Sequence, residues 1–217
     1  MKIYIDAGHN YSGADTGAIG NGLKEQDITF EIASLLKNKL INVGAEVMMS
    51  RNKITDNVAN TSLNASLKAR AKMANDWGAE LFVSIHCNSN PNKTANGTET
   101  IICGRGGKAE EVAELVQKSI VDKLGTVNRG VRVDKEYLGY SLAVLRYTNM
   151  PAILIETAFI SNADDAKLLK NNKEDFAQAI FNGICNCSNK ENGTTNLVFP
   201  DVKGHWAEQH INKLVDY

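Results

Sequence analysis

The sequence has little of what marks out the specialised protein classes. Its 217 residues include only three prolines, four cysteines and 6% aromatic residues, and the net charge is −1. Four cysteines at this length do not make a disulfide framework, and the balanced charge offers no basic surface for nucleic acid. No apolar run reaches the length of a membrane span. With 43% hydrophobic residues, these absences indicate an ordinary globular protein.

Short apolar runs alternate with segments of helical periodicity along most of the chain. The runs at residues 81–85 and 152–155 are apolar at nearly every position, as expected of strands covered by helices on both faces. The alternation predicts an α/β fold: a single three-layer domain with a twisted, mostly parallel sheet flanked by helices on both faces. We expect this domain to cover residues 1–187, with a further strand at 142–145.

Polar residues stand at the ends of three predicted strands. His9, His86 and Glu156 each follow such a run, and Glu25 opens the first predicted helix. Ligands of open α/β sheets bind beyond the carboxyl ends of the parallel strands. Two histidines and a carboxylate form a typical catalytic zinc set, with one position left for water. The pattern therefore predicts one Zn²⁺ ion held by His9, Glu25 and His86, with Glu156 as general base and then general acid.

Each of these residues also has an ordinary structural interpretation. His9 could cap a turn, His86 could be a core histidine, and the two glutamates could be solvated helix entries. Their joint placement favours a site, because two of only four histidines fall at one edge of the predicted sheet. Adjacent strand residues point to opposite faces, which argues against Cys87 and His86 acting as a nucleophile pair.

Seven motifs fall in the order of a known family. They are IDAGHN at residues 5–10, GADTGA at 13–18, LKE at 23–25, MSR at 49–51, LKAR at 67–70, VSIHCN at 83–88 and LIETAFISN at 154–162. In this order they resemble the zinc-dependent N-acetylmuramoyl-L-alanine amidases of bacteria and phages, over about residues 1–187. The resemblance implies zinc ligands at His9, Glu25 and His86 and a catalytic Glu156. It also implies hydrolysis of the amide between N-acetylmuramic acid and the L-alanine of the peptidoglycan stem peptide.

Other polar residues are assigned supporting roles. Asn88, on the same strand face as His86, could orient a ligand or the substrate, and Arg146 could meet an acidic group of the stem peptide. Arg51 and Arg70 are interpreted as internal ties between helix and strand rather than substrate clamps. Some relatives carry a long helical insert that plugs the zinc site; no comparable segment occurs here, so an open cleft is expected.

The C-terminal part of the chain differs in composition. Residues 188–197 are predicted to be a linker. Residues 198–217, VFPDVKGHWAEQHINKLVDY, resemble the start of an S-layer homology module, whose family role is attachment to cell-wall polymers. Only about a third of such a module is present, so we expect binding of secondary wall polymers only from a complete module. His205 and His210 are assigned to a helix face there.

We therefore expect a monomeric enzyme that acts on peptidoglycan at the bacterial cell wall, does not bind nucleic acid and has no membrane span. The first strand follows Met1 and Lys2 directly, so no signal peptide is predicted in this sequence. The enzyme would reach the wall either by secretion, with a signal that has been removed, or by release at cell lysis. Two alternatives are a zinc peptidase that cuts within the stem peptide and a non-catalytic wall-binding module. The motif order disfavours the peptidase, and a binding module has no need of Glu156.

Overall fold

The computed structural model describes residues 1–191, with side chains through residue 188. The elements in chain order are β1 (Lys2–Ala7), β2 (Ile19–Gly20), β3 (Leu23–Lys24), α1 (Glu25–Asn42), β4 (Glu46–Met49), α2 (Leu63–Trp77), β5 (Leu81–Asn88), β6 (Thr98–Ile102), α3 (Lys108–Leu124), β7 (Asn128–Val133), α4 (Asp134–Leu138), α5 (Ala143–Arg146), β8 (Ala152–Phe159), α6 (Ala163–Asn171) and α7 (Lys173–Glu191). Strands and helices alternate through most of this range, as the apolar pattern predicts.

Six strands form one sheet in the order β4-β1-β5-β8-β6-β7. Every neighbouring pair is parallel except β6 and β8, which are antiparallel. The carboxyl ends of β1, β5 and β8 therefore meet at one edge of the sheet, and β6 and β7 begin at that same edge. The prediction of an α/β fold with a mostly parallel sheet is confirmed.

Successive strand residues supply two separate apolar cores. In β1, Ile3 and Ile5 face a large core against α1, α3 and α7, whereas Tyr4 faces a smaller core against α2 and α5. Tyr4 stacks there on Phe82 of β5, with 5.6 Å between ring centroids. This alternation follows from the two-residue period of a strand, and it places helices on both faces of the sheet.

The apolar run at residues 142–145 is not a strand. It forms the short helix α5, in which the backbone N–H of Arg146 donates to the carbonyl of Leu142, and Val144 and Leu145 are buried in the smaller core. A run of four apolar residues fits a helical turn as well as a strand. The short hairpin of β2 and β3 and the helix α4 were not predicted.

Helix α7 continues to Glu191, so it covers the first four residues of the segment predicted to be a linker. The segment at residues 198–217, with its resemblance to an S-layer homology module, lies outside the described residues. Within the described part of the chain, none of the helices is both long and apolar enough to cross a membrane.

Candidate metal centre

Three predicted ligands meet at the edge of the sheet. Oε1 of Glu25 lies 3.1 Å from Nε2 of His9 and 3.1 Å from Nδ1 of His86. One ligand atom from each residue lies within 4.8 Å of the other two, and no other such group of His, Cys, Asp and Glu residues occurs within the described part of the chain. The two imidazole rings meet edge to face, with 4.8 Å between centroids. The structure thus brings together residues from β1, α1 and β5.

Glu25 owes its position to the start of α1. Oε2 of its carboxylate accepts from the backbone N–H of Ala18 at 2.8 Å, and Oε1 accepts from the N–H of Cys87 at 2.9 Å. An acidic side chain in the first turn is also favoured by the helix dipole. The carboxylate is therefore fixed between the β1 and β5 ends of the sheet before any ligand binds.

Two glycines allow the ligands to approach so closely. A Cβ on Gly8 would lie 2.6 Å from Cε1 of His86, and a Cβ on Gly17 would lie 2.8 Å from both Cδ2 of His9 and Oε2 of Glu25. Contacts under 3.0 Å are essentially never tolerated by a real Cβ. A side chain at Gly17 would thus meet two of the ligand residues, and one at Gly8 would meet His86 and also the backbone carbonyl of Ile85 at 2.6 Å.

His9 is held in an unusual conformation by a buried network. Its φ is 67°, in the left-handed region that non-glycine residues seldom adopt. Its Nδ1 donates to Oδ1 of Asp15 at 3.1 Å, with Nε2 left facing Glu25. Oδ2 of Asp15 in turn accepts from the hydroxyl of Ser66 at 2.6 Å and lies 3.5 Å from Nε of Arg70. Asp15 thus selects the nitrogen that His9 presents to the site, a role that the sequence analysis missed.

The charges of the ligand group are strongly coupled. Burial lowers the pKa of His9, but hydrogen bonds to Asp15 and Glu25 outweigh it and raise the pKa to about 9. Burial raises the pKa of Glu25, but His86 and His9 outweigh this and hold it well below its usual value. Without a metal, His9 therefore carries a proton, and its positive charge compensates the negative charges of Asp15 and Glu25. Binding of a cation must displace that proton.

Glu156 lies beside this group on β8, opposite His86 in the strand register. Its Oε2 is buried and has no hydrogen-bond partner within the described residues. Burial raises the pKa of the Glu156 carboxyl well above its usual value, and the nearby charges of Glu25 and Glu99 raise it further. A buried polar atom without a partner is rare, so this carboxyl is positioned for something other than packing.

The ligand group fits a small divalent cation. Ligand atoms about 2.0–2.1 Å from a tetrahedral metal ion lie roughly 3.4 Å apart, close to the 3.1 Å separations at Glu25. Two imidazole nitrogens and one carboxylate oxygen are a donor set that suits zinc, and the side chains of His9 and His86 remain 21% and 15% exposed. Cys185 and Cys187 are not part of this group.

The two other candidate residues differ in position. Asn88 donates from Nδ2 to Oε1 of Glu99 at 2.7 Å, one step along the strand face from His86. Arg146 is exposed, its guanidinium lies 5.5 Å from the ring centroid of Tyr147, and it makes no hydrogen bond to the ligand group. The contacts of Asn88 thus lie at the polar edge of the sheet, and a role of Arg146 toward an acidic group of the substrate stays a prediction.

Arg51 and Arg70 are structural, as predicted. Both are fully buried, and Arg51 donates from Nη2 to the backbone carbonyl of Gln26 at 2.6 Å. Arg70 donates from Nη1 to Oδ1 of Asp6 at 2.7 Å and from Nη2 to Oδ1 of Asn10 at 2.8 Å. The Arg70 bonds tie α2 to the end of β1 and so support the loop that carries His9.

The Asp6–Arg70 pair predicts acid sensitivity. Burial raises the pKa of Asp6, but Arg70, His86 and Ser84 outweigh it and the pKa lies below its usual value. A depressed pKa gives stability that is present above about pH 4 and is lost as the pH falls toward the folded pKa. In Asp6→Asn this dependence should be weaker, and stability at pH 7 should drop by about 3 kcal/mol or less. Arg70 loses its partner at 2.7 Å but keeps Asp15, whose Oδ2 lies 3.5 Å from Nε of Arg70.

Urea unfolding of the metal-free protein at pH 7 and pH 3 measures both effects. Asp76→Asn is the matched control, since Asp76 forms an exposed ion pair with Lys72 of a kind that contributes about 1 kcal/mol or less. A pH dependence in Asp6→Asn equal to that of the wild type would show that another group governs acid unfolding.

Comparison with known proteins places these features in one family. The sequence profile described as N-acetylmuramoyl-L-alanine amidase matches residues 3–186. The chain is 38% identical over 185 residues to N-acetylmuramoyl-L-alanine amidase LytC of Bacillus subtilis, covering 83% of this chain and 34% of LytC. It is 33% identical over 191 residues to the germination-specific N-acetylmuramoyl-L-alanine amidase of the same organism, covering 84% and 77%.

A solved structure agrees with the sequence relatives. The N-acetylmuramoyl-L-alanine amidase from Clostridium difficile 630 superposes with a TM-score of 0.73 at 33% identity, covering 88% of this chain and 96% of that structure. The chain spans about a third of the length of LytC but nearly all of this solved chain. The similarity therefore lies in the α/β domain that carries the ligand group.

Proposed function

The chain belongs to the N-acetylmuramoyl-L-alanine amidase family, and on that premise we propose that it hydrolyses the amide between N-acetylmuramic acid and the L-alanine of the stem peptide. One zinc ion is held by His9, Glu25 and His86 in this proposal. One observation carries it: three ligand atoms converge beside the carboxyl of Glu156, whose Oε2 is buried and has no hydrogen-bond partner within the described residues. Ligands that hold a metal and a separate group that moves protons are what amide hydrolysis by water needs.

The residues divide the work between binding and proton transfer. When bound, zinc supplies a Lewis acid that lowers the pKa of water and polarises the amide carbonyl. His9 offers Nε2 because Asp15 occupies its Nδ1, and His86 offers Nδ1. Glu25 contributes Oε1, held in place by the N–H of Cys87.

Glu156 is the proton-transfer group in this proposal. Its Oε2, which has no partner within residues 1–191, can accept a proton from the attacking water and then donate it to the nitrogen of the departing L-alanine. A raised pKa suits the second step, because the carboxyl must still hold the proton when the amine leaves.

A non-catalytic wall-binding module is the first alternative function, and the unpartnered Glu156 argues against it. A buried carboxyl without a partner is unfavourable, and binding alone gives no reason to maintain it. The second alternative, a zinc peptidase acting within the stem peptide, requires the same machinery but a different scissile bond. The two enzymes therefore differ in product rather than in site geometry.

Analysis of the chain ends released from purified peptidoglycan tests the proposal. An amidase releases stem peptides with free L-alanine amino termini and leaves glycan strands whose muramic acid carboxyl groups are newly freed. New amino termini at any other stem-peptide residue would identify a peptidase. No new termini from a zinc-loaded protein would favour the binding module.

Asp15→Asn should weaken zinc affinity by about 10- to 100-fold, the usual cost of losing a carboxylate that orients a metal-bound histidine. The amide can donate toward Nδ1 and so no longer favours the tautomer that presents Nε2. Competition with a chromophoric chelator measures the affinity directly. Asp122→Asn on the surface of α3, where Asp122 pairs with Lys118, is the control and should bind zinc like the wild type. Unchanged affinity in a folded Asp15→Asn protein would remove Asp15 from this role.

We further propose that the protein works as a monomer at the bacterial cell wall, where its substrate lies. Attachment to secondary wall polymers is proposed only for a complete module of the kind that residues 198–217 resemble. The described residues carry the whole ligand group and Glu156, so wall attachment would affect where the enzyme acts rather than the reaction itself.

A further inference from the structure

The polar edge of the sheet continues past Glu156. Glu99 of β6 pairs with Glu156 in the strand register, and the start of β7 pairs with the start of β6. Neighbouring strands lie about 4.8 Å apart, so β7 begins roughly 10 Å from Glu156 along this edge. Arg129, the second residue of β7, therefore lies near the same edge of the sheet as the ligand group, where β1, β5 and β8 have their carboxyl ends. Arg129 lies outside all seven sequence motifs.

We propose that Arg129 binds the free carboxylate of the acidic residue that follows L-alanine in the stem peptide. The inference rests on the proposed function, because it describes how the same site recognises more of its substrate. It depends on three features of the structure: a buried carboxylate that anchors Arg129, an open end of the guanidinium, and a spacing that matches the peptide.

Glu99 is the anchor. Its side chain is 1% exposed, and its Oε2 accepts from Nε of Arg129 at 3.0 Å. Its Oε1 accepts from Nδ2 of Asn88 at 2.7 Å and from the hydroxyl of Tyr137 at 3.3 Å. One buried carboxylate thus fixes three side chains from β5, β7 and α4, and its own charge is paired, as a buried charge must be.

The guanidinium of Arg129 is held flat with one end free. It lies 4.9 Å from the ring centroid of Phe159, and Nη2 donates to the hydroxyl of Tyr137 at 3.3 Å. Nη1 has no acceptor within the described residues, and the side chain is 29% exposed. Arg70, a structural arginine, is 1% exposed and bonds through Nε, Nη1 and Nη2. The contrast indicates that Arg129 has donors left for a ligand.

The spacing and chemistry match a peptide carboxylate. An extended chain spans about 3.3–3.6 Å per residue, so a carboxylate on the second residue lies roughly 7 Å from the scissile amide. The long arginine side chain covers the rest of the roughly 10 Å to β7. The planar fork of arginine fits a carboxylate through two parallel hydrogen bonds. A carboxamide at the same place would present N–H donors to it, so the free acid should be preferred.

Calorimetric titration of the full 217-residue chain, loaded with Zn²⁺, tests the proposal with two probes. These are the dipeptide L-Ala-γ-D-Glu and its α-carboxamide. The wild type should bind the acid about tenfold or more tightly than the carboxamide, the usual effect of a hydrogen bond to a charged group. Arg129→Gln should bind both peptides alike, with the carboxamide affinity unchanged.

A second variant guards against misfolding, because Arg129→Gln leaves the charge of Glu99 buried and unpaired. The double variant Glu99→Gln with Arg129→Gln removes both charges and should show the same loss of preference. Lys118→Gln removes one positive charge from an exposed position on α3 and should keep the wild-type preference.

Equal binding of the two peptides by the wild type, no binding of either, or a preference that survives in both Arg129 variants would overturn the proposal. Failure of the amidase function itself would be seen separately, as the absence of L-alanine amino termini in wall digestion. The dipeptide preference does not depend on turnover, so the two results are distinguishable.

Discussion

Replacing Glu156 by glutamine should remove most of the amidase turnover while the protein keeps its metal and its fold. Glutamine has the same shape but cannot carry a proton between water and the leaving amine. A positioned acid–base group contributes ~10²–10⁴-fold, and one residue here would serve both proton transfers. Because Oε2 makes no hydrogen bond within the described residues, the substitution breaks no structural contact there.

Zinc content by mass spectrometry, thermal unfolding and the rate of L-alanine terminus release should be measured on the same preparation. Glu114→Gln on the exposed face of α3 is the control and should match the wild type in all three. An inactive Glu156→Gln protein that has also lost its zinc would make Glu156 a ligand. A fully active one would remove Glu156 from the mechanism.

Replacing His86 by alanine should abolish both zinc binding and activity. The change removes one of three protein ligands, so zinc affinity should fall by more than the ~10–100-fold typical of losing a supporting hydrogen bond. It also deprives the Glu25 carboxylate of a partner at 3.1 Å. The expected pattern, loss of metal together with activity, is the opposite of that for Glu156→Gln, where activity alone is lost.

His210→Ala is the matched control, since it removes a histidine from the part of the chain outside the described residues. It should retain about one zinc ion per chain. Stoichiometric zinc in His86→Ala at the affinity of the wild type would contradict the ligand assignment, whatever happened to the activity.

The ligand group was predictable because its signals are local. A histidine directly after an apolar run is visible in the sequence for His9 and His86, and a carboxylate that opens an amphipathic segment is visible for Glu25. The parallel sheet then brings them together without further information, because the carboxyl ends of its strands share an edge.

The supporting residues could not be found in the same way. Asp15 meets His9 because the chain turns back through a left-handed residue, and no periodicity signals such a turn. Glu99 and Arg129 reach the site because β6 runs antiparallel to β8 and β7 follows it. An apolar run predicts a strand but not its direction. Residues 142–145 show a second limit, because a run of four apolar residues fits either a strand or a helical turn. In the structure this run packs on α2 as a helix.

A zinc titration of the metal-free protein, with muramoyl-L-alanine cleavage as the readout, tests the central claim most directly. Protein stripped by a chelator should release no L-alanine amino termini from purified peptidoglycan. The rate should then rise linearly with added Zn²⁺ and level off at one ion per chain, as a site of His9, Glu25 and His86 requires. Full cleavage of that amide in the presence of excess chelator, or a rate that does not respond to added Zn²⁺, would contradict the account.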